Sequence, residues 1–182
     1  MSALFSIDRY YIQTKFLRIF GGAFWFKDAE DNIVAYSQQK RFKLKEDIFL
    51  YTDESCTEAL VRIKARSMID VWSTYDIFDA KTGETIGAAK RKGLLSIFKD
   101  TWKLLDAQGN EYGELVEDSI AILRRFVPFI PAKFHFNVPG QPEITLHQRF
   151  NPIIKKTDVF IPPEHTLDRR LIAAVALLNS AI

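Results

Sequence analysis

Residues 166–182 constrain the fold of this chain more than any other segment. They contain an unbroken apolar run over residues 171–178, and their alanines and leucines favour a helix. Thr166 is placed to cap that helix, and Asp168 lies in its first turn. Because the segment has no polar stripe, we predict a helix enclosed on every side. The run is eight residues long, whereas a helix that crosses a bilayer needs about 20 apolar residues.

A repeat of turn aspartates predicts what encloses this helix. Asp28, Asp53, Asp79 and Asp106 each follow an apolar run, at separations of 25, 26 and 27 residues. Two strands of ordinary length and their turns occupy about that many residues. Helical repeats could share the spacing, but residues 59–66 alternate between apolar and polar side chains, as a strand does. The repeat therefore predicts about ten to twelve antiparallel strands.

This number of strands favours a closed barrel. An open antiparallel sheet of that size would leave two edges with unpaired backbone groups, and closure removes both edges. A barrel of more than about eight strands has an interior too wide for its own side chains to fill. We therefore predict a single mostly β domain over residues 1–182. In it, a closed antiparallel barrel of about twelve strands encloses the C-terminal α-helix at 166–182.

Several motifs resemble those of the LURP-one-related proteins. They are the aspartate–glycine hairpins at residues 78–83 and 105–109, the strand that contains Trp102, and the start of the terminal helix at Asp168-Arg169-Arg170. That family is grouped with phospholipid scramblases and the tubby C-terminal domain in one structural superfamily. The resemblance implies a tubby-like β-barrel around a hydrophobic C-terminal helix. It also implies phosphoinositide binding or lipid movement in related proteins, although the LURP-one-related proteins themselves mostly lack a defined activity.

The sequence departs from the scramblase pattern. The cysteine-rich run and the proline-rich segment that are associated with scramblases are absent from it. This difference makes a scramblase-like activity the weaker of the functions that the resemblance implies.

Composition and motifs give no support for catalysis. The net charge is only +2, so attraction to anions must come from local clusters. Cys56 is the single cysteine and cannot form an internal disulfide, which fits a reducing compartment. We see neither a signal peptide nor a segment of spanning length, and expect a cytoplasmic protein. Residues 83–90 fit no phosphate-loop pattern and no nucleophile elbow occurs, so we expect no enzyme activity and no cofactor.

The three histidines do not predict a metal site. With a type II turn at Pro139-Gly140, His135 would lie opposite Ile144, and His147 opposite Ala132. The two histidines are then not cross-strand neighbours. We interpret them, and His165, as structural residues.

Basic clusters are the functional signal that the sequence contains. The nine residues concerned are Arg41, Lys43, Lys45, Arg62, Lys64, Arg66, Lys90, Arg91 and Lys92. If neighbouring hairpins align them, an anionic surface could dock there, at ~1 kcal/mol per basic residue near a charged leaflet. The alternative is that these residues keep the barrel exterior polar and protect its strands from aggregation. Single-stranded nucleic acid would need exposed aromatic side chains beside the cations, and the alternation turns Phe42 and Val61 inward.

The sequence thus predicts a non-catalytic binding module. Its partner would be an anionic phospholipid surface or a protein, bound through the basic outer strand faces, with peripheral attachment to a membrane. Two alternatives stay open. A scramblase-like membrane protein would require the terminal helix to leave the barrel, and a purely structural scaffold would bind protein partners without a ligand.

Overall fold

The computed structural model describes residues 2–17, 21–39, 47–66, 74–92, 101–118, 131–149 and 154–181. A 3₁₀ helix at Ala3–Ser6 comes first. The strands follow in the order β1 (Arg9–Leu17), β2 (Gly21–Lys27), β3 (Ile33–Gln39), β4 (Ile48–Tyr51), β5 (Ala59–Ala65), β6 (Thr74–Asp79), β7 (Thr85–Arg91), β8 (Thr101–Leu105), β9 (Glu111–Glu117), β10 (Lys133–Asn137), β11 (Ile144–Arg149) and β12 (Lys155–Phe160). Helix α1 (Arg169–Ala181) ends this series.

The twelve strands of the described residues form one closed antiparallel barrel. Every strand pairs with its neighbours in sequence, and β1 pairs with β12 to close the sheet. This arrangement confirms the predicted fold class. The alternation of apolar and basic side chains at residues 40–45 also predicts a strand, and residues 119–127 fit either a strand or a short helix. Both segments lie outside the described residues.

The period-two alternation sorts side chains between the inside and the outside of the barrel. On β5, Val61 and Ile63 are fully buried, whereas Lys64, the residue after Ile63, is exposed. On β8, Trp102 and Leu104 point inward in the same way. These side chains belong to one hydrophobic cluster that includes residues from the strands and from α1.

Helix α1 fills the interior of the barrel. The side chains of residues 171–178 are at most 1% exposed, and the helix contacts β1, β5, β6 and β7. The enclosed apolar helix that the sequence predicts is therefore confirmed. Among the described residues, no helix has the length and hydropathy that crossing a bilayer requires.

The start of α1 differs from the prediction by a few residues. Asp168, not Thr166, caps the helix: its Oδ1 accepts the Arg170 N–H at 2.8 Å, and its carbonyl accepts the Ile172 N–H at 3.1 Å. Thr166 is instead bound to Gln141 through its hydroxyl (2.7 Å) and its N–H (2.8 Å). Asp168 is the better cap because its carboxylate also carries the negative charge that a helix N-terminus favours.

The repeated turn aspartates hold the hairpins together. The Oδ1 atom of Asp106 accepts the N–H groups of Gln108 (2.9 Å) and Asn110 (2.8 Å). The carboxylates of Asp28, Asp53 and Asp79 accept backbone N–H groups of their own turns in the same manner. Because each aspartate ends a strand of the same direction, all four turns lie at one end of the barrel.

We call this end the hairpin end. It consists of residues 2–8, 28–32, 52–58, 80–84, 106–110, 138–143 and 161–168. Helix α1 begins at the hairpin end and runs towards the opposite end, where β1 ends and β2 begins.

Two local predictions are wrong by a small shift. The Gly21-Gly22 pair predicts the end of the first strand, but in the structure it begins β2, where Gly22 pairs with Phe16 and Gln39. In the last hairpin, His135 lies opposite Thr145 and not opposite Ile144, so the predicted register is wrong by one residue.

The inward side chains set the true register of that hairpin. Phe134 pairs with Leu146 and Phe136 with Ile144, so that all four point into the core. A shift by one residue would place inward side chains opposite outward ones. The turn itself is as expected: the Gln141 N–H donates to the Val138 carbonyl, and Gly140 has the positive φ of 75° that a type II turn requires at this position.

Candidate anionic-surface interface

The basic residues of β5 occupy the outer face of the barrel. Lys64 and Arg66 are exposed, and Arg62 is partly exposed, because their inward neighbours Val61 and Ile63 occupy the core. Arg41, Lys43 and Lys45, which the sequence places in the same kind of outer face, lie outside the described residues.

The basic run of β7 divides between the two faces of the sheet. Lys90 is exposed on the outer face. Arg91 pairs with the buried Trp102 across β7 and β8, and its guanidinium lies over the indole ring at 5.8 Å from the centroid. Arg91 thus packs at the inner face of the sheet, whereas Lys90 and Lys92 lie on its outer face.

Strand pairing brings the outer basic residues of β5 and β7 into one row. The Arg66 N–H donates to the Thr74 carbonyl, Thr74 pairs with Lys90, and Lys90 pairs with Lys103. Neighbouring strands are about 4.8 Å apart, so the row crosses four strands within about 15 Å. We call Lys64, Arg66, Lys90, Lys92 and Lys103 the basic row.

Lys103 is a member of the basic row that the sequence analysis missed. The alternation of strand β8 could have identified it, because Lys103 lies between the inward Trp102 and Leu104 and must therefore face outward. It was overlooked because it is a lone lysine in an apolar strand, not part of a charged run.

Acidic neighbours neutralise part of the basic face. The Arg66 guanidinium contacts the Asp76 carboxylate, with Nε 2.8 Å from Oδ1, and this hydrogen bond raises the pKa of Arg66. Arg62 is bound to Asp47 at 2.5 Å. Exposed pairs of this kind contribute about 0–1 kcal/mol to stability, but they reduce the positive potential that an approaching anion would meet.

The β8 end of the row is also paired. Lys103 Nζ lies 3.0 Å from Glu114 and 3.8 Å from Glu111, and the bond to Glu114 raises the pKa of Lys103. Lys92 lies 3.9 Å from the same Glu114. Lys64 and Lys90 remain exposed and make no ion pair with any residue that the structure describes. Of these two lysines, Lys90 lies within the row between Arg66 and Lys103, whereas Lys64 lies opposite Asp76 in strand register.

A second cationic surface, on the outside of β11, β12 and β1, was not predicted. The Tyr11 ring lies between the Arg149 guanidinium (5.3 Å) and the Lys156 ammonium (4.8 Å). Arg9 lies over Phe160 at 4.8 Å. Arg9, Tyr11, Arg149 and Phe160 line a cleft of about 400 Å³. Sequence reasoning missed this surface because its members come from both ends of the chain.

Part of the charge of this second surface is neutralised within it. Arg149 is bound to Asp158, and the Tyr11 hydroxyl to Asp31. Burial, followed by the hydrogen bond to Asp31, raises the pKa of Tyr11 to about 12. Tyr11 is only 6% exposed, so a nucleic-acid base has no open ring on which to stack.

A third cluster surrounds the start of α1 at the hairpin end. Arg169 donates to the Ile7 carbonyl and to Asp8, both at 2.5 Å. Arg170 is bound to Asp168 at 2.7 Å and to Asp79 at 2.8 Å. These arginines neutralise carboxylates that fix the helix to the barrel, and they line a cleft of about 590 Å³ with Phe5 and Leu60.

The histidines have separate structural surroundings. His135 lies 3.0 Å from Asp118, and the Nδ1 atom of His165 accepts the Leu167 N–H at 3.0 Å. Burial lowers the pKa of His165. Within the described ranges, no group of three His, Cys, Asp or Glu side chains is arranged to hold a metal ion.

Comparison with known families gives one match. A family model described as LURP-one-related matches residues 33–159, which extend from the first residue of β3 into β12. No curated protein and no solved structure is significantly similar to the chain.

Proposed function

Because the chain belongs to the LURP-one-related family, we propose that it is a non-catalytic binding module that docks onto anionic phospholipid surfaces. The family membership and the closed barrel are consistent with such a module. The docking face is the basic row on the outside of β5–β8. The observation that supports this proposal is the alignment of Arg66, Lys90 and Lys103 across β5–β8. Lys64 and Lys90 are exposed and make no ion pair among the described residues.

The charges predict weak and reversible attachment. A basic residue near an anionic leaflet contributes about 1 kcal/mol, so Lys64 and Lys90, which make no ion pair among the described residues, supply about 2 kcal/mol. That free energy corresponds to a roughly 30-fold preference for anionic over neutral lipid. The paired residues Arg66 and Lys103 add less, because their carboxylate partners accompany them. The protein would be cytoplasmic and peripheral at the membrane.

The enclosed helix favours docking over scramblase-like activity. Residues 171–178 would have to leave the barrel to enter lipid, and this exposes a core that holds the helix on all sides. The outer face of the barrel, by contrast, is available without any change of fold. Surface docking therefore requires the smaller rearrangement.

Vesicle co-sedimentation tests the proposal. We expect binding to vesicles that contain phosphatidylserine, none to phosphatidylcholine alone, and a fall in binding as salt rises. Lys90→Glu should reduce binding about tenfold or more, since it replaces an attraction by a repulsion. Lys81→Glu is the matched control: Lys81 is an exposed lysine at the hairpin end, and its replacement changes the net charge equally.

Four outcomes contradict the proposal. Equal binding to both kinds of vesicle would show that charge does not direct docking. An equal loss in both variants would show that only net charge matters. Absence of binding to either vesicle would favour a partner-binding scaffold, and lipid exchange between leaflets in the same vesicles would favour scramblase-like activity.

A further inference from the structure

We infer that the barrel binds an anionic bilayer in one orientation, with the hairpin end held away from the lipid and the opposite end turned towards it. The inference rests on the proposed function, and it follows from a separation of charge along the barrel axis.

The hairpin end is strongly acidic. Its connecting segments contain a single basic residue, Lys81, and the twelve acidic residues Asp8, Asp28, Glu30, Asp31, Asp53, Glu54, Glu58, Glu84, Asp106, Glu143, Glu164 and Asp168. The two nearest residues of each strand and of α1 add Asp79 and Glu111 on one side, and Arg9, Lys27, Arg169 and Arg170 on the other. The hairpin end therefore carries fourteen acidic residues and five basic residues.

The described residues at the opposite end have the reverse balance. By the same criterion, this end carries the three acidic residues Asp47, Glu117 and Asp118, and the nine basic residues Lys64, Arg66, Lys90, Arg91, Lys92, Lys133, Arg149, Lys155 and Lys156. Four members of the basic row are among them. The net charge of the whole chain, +2, conceals this separation.

The height of the barrel makes the separation effective. A strand of six residues spans about 20 Å, whereas the screening length at physiological ionic strength is about 8 Å. With the opposite end on the bilayer, the acidic turns lie about two screening lengths from the lipid charge and are hardly repelled. In the inverted orientation the acidic turns would meet the anionic headgroups directly. In the proposed orientation, the start of α1, with Arg169 and Arg170, faces solvent.

The single native cysteine provides a probe at the hairpin end. Cys56 lies in the turn between β4 and β5 and is partly exposed. A second probe is placed by Thr74→Cys in a Cys56→Ser background, because Thr74 lies between Arg66 and Lys90 in strand register. Each full-length protein is labelled with a polarity-sensitive fluorophore and bound to vesicles of phosphatidylserine and phosphatidylcholine. Quenching by acrylamide, which is neutral and so is not excluded by surface charge, measures access from water.

The expected result is a difference between the two positions. On binding, quenching of the Thr74 label should fall about threefold or more, and quenching of the Cys56 label should stay near that of the free protein. Equal protection at both positions, or stronger protection at Cys56, while co-sedimentation still shows binding, would overturn the orientation and leave the proposed function intact. Absence of binding would overturn both.

A charge variant separates orientation from affinity. Glu30→Lys with Glu58→Lys makes the hairpin end less acidic at two exposed positions. This variant should bind anionic vesicles at least as tightly as the parent, but protection of the Cys56 label should now appear. An unchanged Cys56 signal in the bound variant would show that the hairpin-end acids do not set the orientation.

Discussion

The Arg170 guanidinium lies 2.8 Å from the Asp79 carboxylate and joins the helix inside the barrel to the end of strand β6. Asp79 also accepts backbone N–H groups of the β6–β7 turn. One carboxylate therefore serves both the hairpin and the helix. The arrangement also explains how two arginines are tolerated at a helix N-terminus, where positive charge opposes the helix dipole: Asp168, Asp79 and Asp8 compensate them.

Arg170→Met should destabilise the protein by about 1–3 kcal/mol. The side chains of Arg170 and Asp79 are 26% and 19% exposed, so loss of the cation leaves a partly buried carboxylate unpaired. Arg149→Met is the control, because the Arg149–Asp158 pair is more exposed and should contribute only about 0–1 kcal/mol. Urea unfolding measures both changes. Equal effects would show that the pair at the helix start has no special role.

Val175→Asp should prevent folding. Val175 is fully buried in the middle of α1, where an unpaired carboxylate would cost more than about 3 kcal/mol. The expected observation is a loss of the cooperative unfolding transition. Asn179→Asp, near the partly exposed end of the same helix, should cost about 0.3–1 kcal/mol through the helix dipole. A folded Val175→Asp protein would contradict the enclosure of the helix.

The barrel and its helix could be predicted because their signals are local. Alternation along one strand shows which side chains face inward, and a helix that is apolar on all sides must be enclosed. The pairing of strands is not local. The register of the last hairpin was missed by one residue because the turn at Pro139-Gly140 fixes only its own geometry, whereas the core packing of Phe136 against Ile144 fixes the pairing.

The basic row depends on a feature that alternation alone does not show. A β-bulge between Ile77 and Phe78 shifts the pairing of β6 and β7 by one residue, so that Thr74 lies opposite Lys90 and not opposite Ala89. Gly87 was the available signal, because an isolated glycine within a strand often marks a bulge. The sequence therefore identified Arg66 as an outer strand residue and Lys90 as part of a basic run at a turn, but could not show that the two lie in one row.

Stability should fall in acid because of the turn aspartates. The side-chain amide of Asn110, followed by its backbone N–H, holds the pKa of Asp106 below its ordinary value of 3.8. A lowered folded-state pKa contributes stability that is complete above the unfolded-state value and is lost as pH falls through the folded-state value. Asp106→Asn should therefore unfold at lower urea concentration than the parent at pH 7, and the difference should shrink below about pH 4. Asp28→Asn, in an equivalent turn whose aspartate pKa is lowered by Asn32, should behave alike. A difference that is constant with pH would contradict the assignment.

Cys56→Gly should stabilise the protein. Cys56 occupies the turn position three residues after Asp53, with φ of 55°, and Gly109 occupies the same position after Asp106, with φ of 90°. In both turns the residue donates its N–H to the aspartate carbonyl. A left-handed conformation costs about 1–2 kcal/mol for a residue with a side chain, and the greater flexibility of glycine in the unfolded chain offsets about 0.5–1 kcal/mol of this. The expected gain is thus about 0.5–1 kcal/mol.

Gly109→Ala is the reciprocal variant: its added Cβ would meet no atom within 4 Å, so a loss of about 1 kcal/mol there reports backbone strain alone. Urea unfolding of the two variants measures both effects, and a loss of stability in Cys56→Gly would show that the thiol contributes more to this turn than its backbone strain costs.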